Sequence, residues 1–262
     1  MCYNVIVLYD KEDGKDMDNK KTLFIDDVKI LETTYKGNSG IKKICISKNV
    51  SFIEAGAFAM CPNLESIEVD ENNRWFTSEN GCNAIIDKTN GVLLAGCYKT
   101  EIPEYVKAIG PFAFCGQTKL KKVTSPSHIR RVNGYAFDGC SGLVELKIEM
   151  GIEHIGEYCF RNCTNFETIY LPNTKIDIDA TVFGVIPFDW DDMHSSVLSG
   201  PQNTAPCFEG TLDIFFDGTM EEYYNSPVVE WYLSDSLIER RRIIYVHCMD
   251  GRLTYNKWQF QV

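Results

Sequence analysis

Apolar and polar positions along this chain recur in columns 23 residues apart. An aromatic stands at Tyr35, Phe58, Phe114, Phe137, Phe160 and Phe183, at steps of 23, 56, 23, 23 and 23 residues, where 56 is one step plus an insertion of 33. Five residues before it stand Ile30, Ile53, Ile109, Val132, Ile155 and Ile178, and one residue before it Thr34, Ala57, Ala113, Ala136, Cys159 and Val182. Six residues after it come Ile41, Leu64, Leu120, Leu143 and Phe166, and nine after it Ile44, Ile67, Val123, Leu146 and Ile169. Eleven after it come Ile46, Val69, Ile148 and Leu171, with Ser125 the exception, and the sixth turn leaves the pattern at Asp189. One 23-residue turn cannot bury its own apolar side, whereas a stack of turns buries one continuous core. The columns therefore predict a solenoid.

Within each turn the apolar spacing is L-x-x-L-x-L, whose last two positions alternate as in a strand. That is leucine-rich-repeat spacing. The segments IEAGAFAMCPNLESIEV (53 to 69), VNGYAFDGCSGLVELKI (132 to 148) and IGEYCFRNCTNFETIYLP (155 to 172) resemble the repeats of the BspA-like leucine-rich-repeat family, found on many bacterial and some protozoan proteins. The insertion NNRWFTSENGCNAIIDKTNGVLLAGCY and the closing stretches LDIFFDGTMEEYY and IIYVHCMDGRLTY resemble companions of such repeats, so the resemblance covers about residues 28 to 255. It implies a right-handed solenoid with a short parallel strand plus a turn or short helical segment in each coil. It implies attachment or host-interaction roles at a bacterial surface, and no chemistry, because its columns are packing positions.

The expected organisation is a single domain over 1–262: an N-terminal cap at 1–27, repeats over 28–183 with a β-hairpin insertion at about 70–103, a loop at 184–206, and a last coil with a C-terminal closing module at 207–262. Asn80-Gly81 and Asn90-Gly91 are hairpin-turn signals around the strand-like AIID and VLLAG, and the hairpin is expected to stick out of the stack. No apolar run reaches 18 residues, so no transmembrane helix is expected, and the start MCYNVIVLYDKEDGKD does not read as a signal peptide. Either a leader is missing from this sequence or the protein stays inside the cell.

With 26 basic and 37 acidic residues the net charge is −11, which speaks against nucleic acid or an anionic membrane as a partner. Four of the 11 cysteines fall in the repeat's columns: Cys61, Cys140 and Cys163 share one, and Cys159 replaces alanine in another. They read as reduced, buried thiols, although a Cys140–Cys163 bridge between adjacent turns is conceivable at strand spacing. No C-x-x-C pair suggests zinc.

An enzyme is not expected. His128, His154, His194 and His247 fall in unrelated phases, no phosphate-binding loop is present, and no cofactor is implied. The acidic group Asp189, Asp191, Asp192 and His194 has hard-cation ligands but lacks the glycine and distal glutamate of an EF-hand, and reads as an acidic loop rather than a metal site. Candidate function lies on the strands. Residues between the apolar strand positions point outward from an expected concave parallel sheet: Lys43 and Cys45, Ser66 and Glu68, Lys122 and Thr124, Glu145 and Lys147, Thr168 and Tyr170. Such a face suits a protein or glycan ligand, or is an ordinary solvated sheet. Trp75-Phe76 and Trp231-Tyr232 read as anchors of their own loops, and Trp190 as a contact outside the sheet. The alternative to an adhesion module is an intracellular protein-interaction scaffold.

Overall fold

The structure is a computed structural model that describes residues 22–179, 181–183, 211–226 and 243–256. In chain order a first block holds β1 (Thr22–Ile25), β2 (Lys29–Ile30), a one-turn helix at Glu32–Tyr35, β3 (Lys43–Ile46), β4 (Phe52–Ile53) and β5 (Ser66–Val69). The insertion supplies β6 (Phe76–Thr77), β7 (Ala84–Asp87) and β8 (Val92–Gly96). A second block follows with β9 (Ala108–Ile109), β10 (Lys122–Thr124), β11 (Arg131–Val132), β12 (Glu145–Lys147), β13 (His154–Ile155), β14 (Thr168–Pro172) and β15 (Asp177–Ile178). It closes with β16 (Thr211–Asp217), a short helix at Met220–Tyr224, β17 (Ile243–Cys248) and β18 (Gly251–Asn256).

Each turn therefore contributes a main strand and, before its ladder aromatic, a two-residue strand. The parallel register matches the columns: Ile44 pairs with Ile67, and Leu146 with Val123 and Ile169. The apolar column residues are almost wholly buried except Val69, Leu120, Val123 and Ile178, which lie half-buried. The aromatics form a ladder through the core, with ring centroids 5.6 Å apart for Tyr35–Phe58, 5.1 Å for Phe114–Phe137 and 5.4 Å for Phe137–Phe160. Ser125, the exception in its column, is buried too, and its hydroxyl accepts the Glu149 N–H at 2.9 Å.

In four of the turns the backbone is left-handed two residues before the ladder aromatic. Gly56 meets this at no cost, but Phe112, Tyr135 and Tyr158 occupy the same place at φ of 59°, 60° and 50°. Their rings stack at 4.9 and 5.1 Å, and the Arg161 guanidinium lies over both tyrosines while pairing with buried Asp138 at 2.6 Å. That pairing raises Arg161 above its ordinary range.

Two expectations are corrected. The main strands make two sheets rather than one, β1-β3-β5 and β10-β12-β14-β16-β17-β18, and the break falls at the insertion. The hairpin does not stick out: β6, β7 and β8 extend the second block's sheet of short strands in the order β15-β13-β11-β9-β8-β7-β6. The physical reason is that both faces of the hairpin are apolar. Ala84, Ile86 and Leu93 pack into the core of the second block, while Ile85, Ala95 and Phe76 pack into that of the first. Gly96 fits here because the Phe114 ring would lie 2.4 Å from any Cβ.

Asn73 fixes the hairpin's entry. It is buried, its amide donates to the carbonyls of Ser47 and Val50 at 2.7 and 2.9 Å, and its carbonyl oxygen accepts the N–H groups of Trp75 and Phe76, both at 2.8 Å. Asn80 and Gly81, both left-handed, make the turn between β6 and β7, and Gly91 closes that between β7 and β8. Across the insertion the blocks stay joined through the Met60 N–H, which donates to the Cys115 carbonyl at 2.8 Å, and the Gln117 amide, which donates to the Cys61 carbonyl at 3.1 Å.

Candidate strand-face site

The outward positions of the main strands fall into register rows. On the first sheet Lys43 lies beside Ser66, and Cys45 lies between Phe24 and Glu68. On the second, Lys122, Glu145, Thr168, Asp213, Tyr245 and Thr254 form one row, and Thr124, Lys147, Tyr170, Phe215, His247 and Arg252 the next. Of the ten outward strand residues expected from the sequence, Lys43, Cys45, Ser66 and Glu68 thus lie on one sheet, and Lys122, Thr124, Glu145, Lys147, Thr168 and Tyr170 on the other.

Most of the charge on these rows is met by neighbours. Lys43 pairs with Glu68 at 2.6 Å, Lys122 with Glu145 at 3.0 Å and Lys147 with Glu149 at 2.6 Å. Glu149 holds Lys147 above its ordinary range. Burial pushes the Cys45 thiol up to about 11, so it is not a reactive thiolate at neutral pH. Exposed pairs of this kind contribute little stability.

The closing strands add residues not expected from the sequence to share this face, His247 among them. Phe215 is 37% exposed, its ring stacks on Tyr170 at 5.0 Å and on His247 at 4.5 Å, and His247 Nε2 lies 2.7 Å from Asp213 Oδ1. The Arg252 guanidinium lies 4.8 Å from the Tyr245 ring centroid. The signal for them was available: DIFFD and IIYVHC alternate like the earlier strands, so their outward positions follow from the same rule.

Elsewhere, Phe76 is buried while Trp75 is 49% exposed, so the phenylalanine anchors that segment. Trp190, Trp231-Tyr232 and the acidic group at 189–194 lie outside the described residues. Among the described residues no three His, Cys, Asp or Glu side chains are grouped to hold a metal ion, and no helix is long and apolar enough to cross a membrane. His154 pairs across adjacent turns with Asp177 at 2.8 Å.

The cysteine column acts as part of the core. Cys61, Cys140 and Cys163 are fully buried, and each thiol donates to the carbonyl of the preceding turn's ladder aromatic, Tyr35, Phe114 and Phe137, at 3.3, 3.1 and 3.2 Å. Burial pushes the Cys61 thiol up, the Cys140 thiol well up and the Cys115 thiol up to about 12.

Stacked turns, a strand face and a ladder of core aromatics define a leucine-rich-repeat solenoid. The profile of the BspA type leucine rich repeat region matches in six copies, over residues 20–82 and 95–188, and the chain belongs to that family. Membership supports a protein-interaction module. The chain is similar to a solved leucine-rich repeat protein from Eubacterium ventriosum, at 21% identity over 55% of this chain and 46% of that one, with a TM-score of 0.42. It is also similar to a leucine rich cell surface protein from Faecalibacterium prausnitzii, at 20% identity over 75% of this chain and 53% of that one, with a TM-score of 0.46. The chain thus spans about half the length of each. No curated protein matches.

Proposed function

We propose that this chain is a non-enzymatic recognition module that presents its strand face to a protein or glycan partner, in adhesion or host interaction at a bacterial surface. The observation that carries this reading is the register of the second sheet, where outward side chains from six neighbouring strands line up in two continuous rows. Rows at strand spacing, ~4.8 Å, give a partner a regular array of contacts over many turns. Each turn contributes little alone, so affinity accumulates along the array.

The test is capture from host-cell surface extract and from bacterial lysate, comparing the natural chain with the folded triple variant Lys122→Glu, Lys147→Glu, Tyr170→Ala. A partner retained by the natural chain and lost by the variant is the expected result. Its source distinguishes an adhesin from an intracellular scaffold. Equal retention by both would remove the strand face as the site.

A further inference from the structure

Lys147, Tyr170, Phe215, His247 and Arg252 stand in one register row across five adjacent strands, β12, β14, β16, β17 and β18. The three rings at its centre are nearly parallel, with planes 17° and 10° apart and centroids separated by 5.0 and 4.5 Å. Rings lying flat and side by side on a sheet cannot approach to a strand spacing of ~4.8 Å. These therefore stand upright, face against face, one per strand, and show their edges to solvent.

That orientation discriminates between ligand classes. A sugar docks on an aromatic through an open ring face, and here the faces of the middle ring are taken by its neighbours. Ring edges carry the positive end of the aromatic quadrupole and suit carbonyl oxygens, carboxylates and the faces of other rings. On one side of the rings is Lys147, already paired with Glu149. On the other is Arg252, exposed, its guanidinium plane resting near Tyr245, an arrangement that leaves in-plane N–H groups for a carboxylate. Of the two carboxylates that flank Phe215 on its own strand face, Asp213 is already held by His247, while Asp217 lies exposed at the strand's end.

Resting on the strand-face reading above, we infer that this row is the contact centre for a polypeptide segment that brings an acidic side chain to Arg252 and an aromatic side chain to the upright edges of Tyr170 and Phe215. The glycan alternative falls to the other outcome of the test. Phe215 is the anchor, being the middle ring and the one whose loss opens the stack on both sides.

The experiment uses the full chain against two probes: random twelve-residue peptides displayed on phage, and a panel of neutral and sialylated oligosaccharides. Selected peptides are resynthesised, and their binding is measured to the natural chain and to Phe215→Ser, Arg252→Glu and Lys43→Glu, each checked for an unchanged melting transition. The expected result is enrichment of peptides combining Asp or Glu with an aromatic residue. Their affinity should fall roughly tenfold or more with Phe215→Ser and with Arg252→Glu, and stay unchanged with Lys43→Glu on the other sheet. Oligosaccharide binding abolished by Phe215→Ser would overturn the inference while leaving the strand face as the site. Peptide binding lost in Lys43→Glu but kept in Phe215→Ser would move the centre to the first sheet. Failure to select any peptide, or peptides indifferent to all three substitutions, would overturn the inference, and the capture experiment would then judge the face as a whole.

Discussion

The regular turns and the hairpin β7–β8 bury the same kinds of side chain by opposite means. A turn such as that of Phe137 buries one side of its strand, so its apolar residues alternate with outward ones, as buried Leu146 does between half-buried Glu145 and exposed Lys147. The hairpin has a core on each side, so consecutive residues Ala84, Ile85 and Ile86 are all buried, facing the two cores in alternation. Strands covered on both faces read as continuous apolar runs. The comparison teaches that an insertion with no repeat phase can still be interior, provided its period matches the two walls it separates.

The largest expected effect lies in the regular turns. Phe137→Ala removes a ring stacked on both Phe114 and Phe160 and should cost roughly 3–5 kcal/mol in urea unfolding. A cost under about 1 kcal/mol would mean that the ladder does not bind the turns together. Asn73→Ala tests the hairpin's side of the comparison. It strips partners from two carbonyls and two N–H groups and should cost roughly 2–3 kcal/mol. If the hairpin docks by its apolar faces alone, that variant will melt like the natural chain.

The smallest effect concerns alkaline pH. Burial raises the thiols of Cys61, Cys115 and Cys140 above the ordinary value of 9.0, so from about pH 9 the unfolded chain loses protons that the folded chain keeps. Stability contributed by these neutral thiols is complete below pH 9 and is lost as pH rises toward the folded values. Cys140→Ser keeps a donor for the Phe114 carbonyl but does not titrate there. Its stability should therefore fall less between pH 8 and pH 9.5, by under about 1 kcal/mol, and an unchanged slope would show that Cys140 is not protected in this way.

The stack was legible because each column is sampled several times, so a single misfit such as Ser125 does not hide the phase. Ser125 was not itself interpretable: its hydrogen bond to the Glu149 N–H comes from the next turn. The turn signals at Asn80-Gly81 and Asn90-Gly91 located the hairpin's bends, yet turn chemistry is silent on where a hairpin packs. The run AIID held that information, since a protruding hairpin would have needed a polar face. At the candidate site, Tyr170 was readable from its repeat. Phe215, His247 and Arg252 follow the same alternation but lie after a long stretch without the period, so their register with Tyr170 is a tertiary fact.

The hairpin also bears on how such a chain can lengthen over evolutionary time. Between Phe114 and Phe160 each turn presents to its neighbours the surfaces that it receives, so duplication of a whole turn there would leave every junction of the same kind. At the hairpin the two walls differ, Ile85 belonging to one and Ile86 to the other, and a copied turn placed there would face a partner it was never shaped to meet. The hairpin is thus a fixed landmark, and the strand face can lengthen only by whole turns on either side of it.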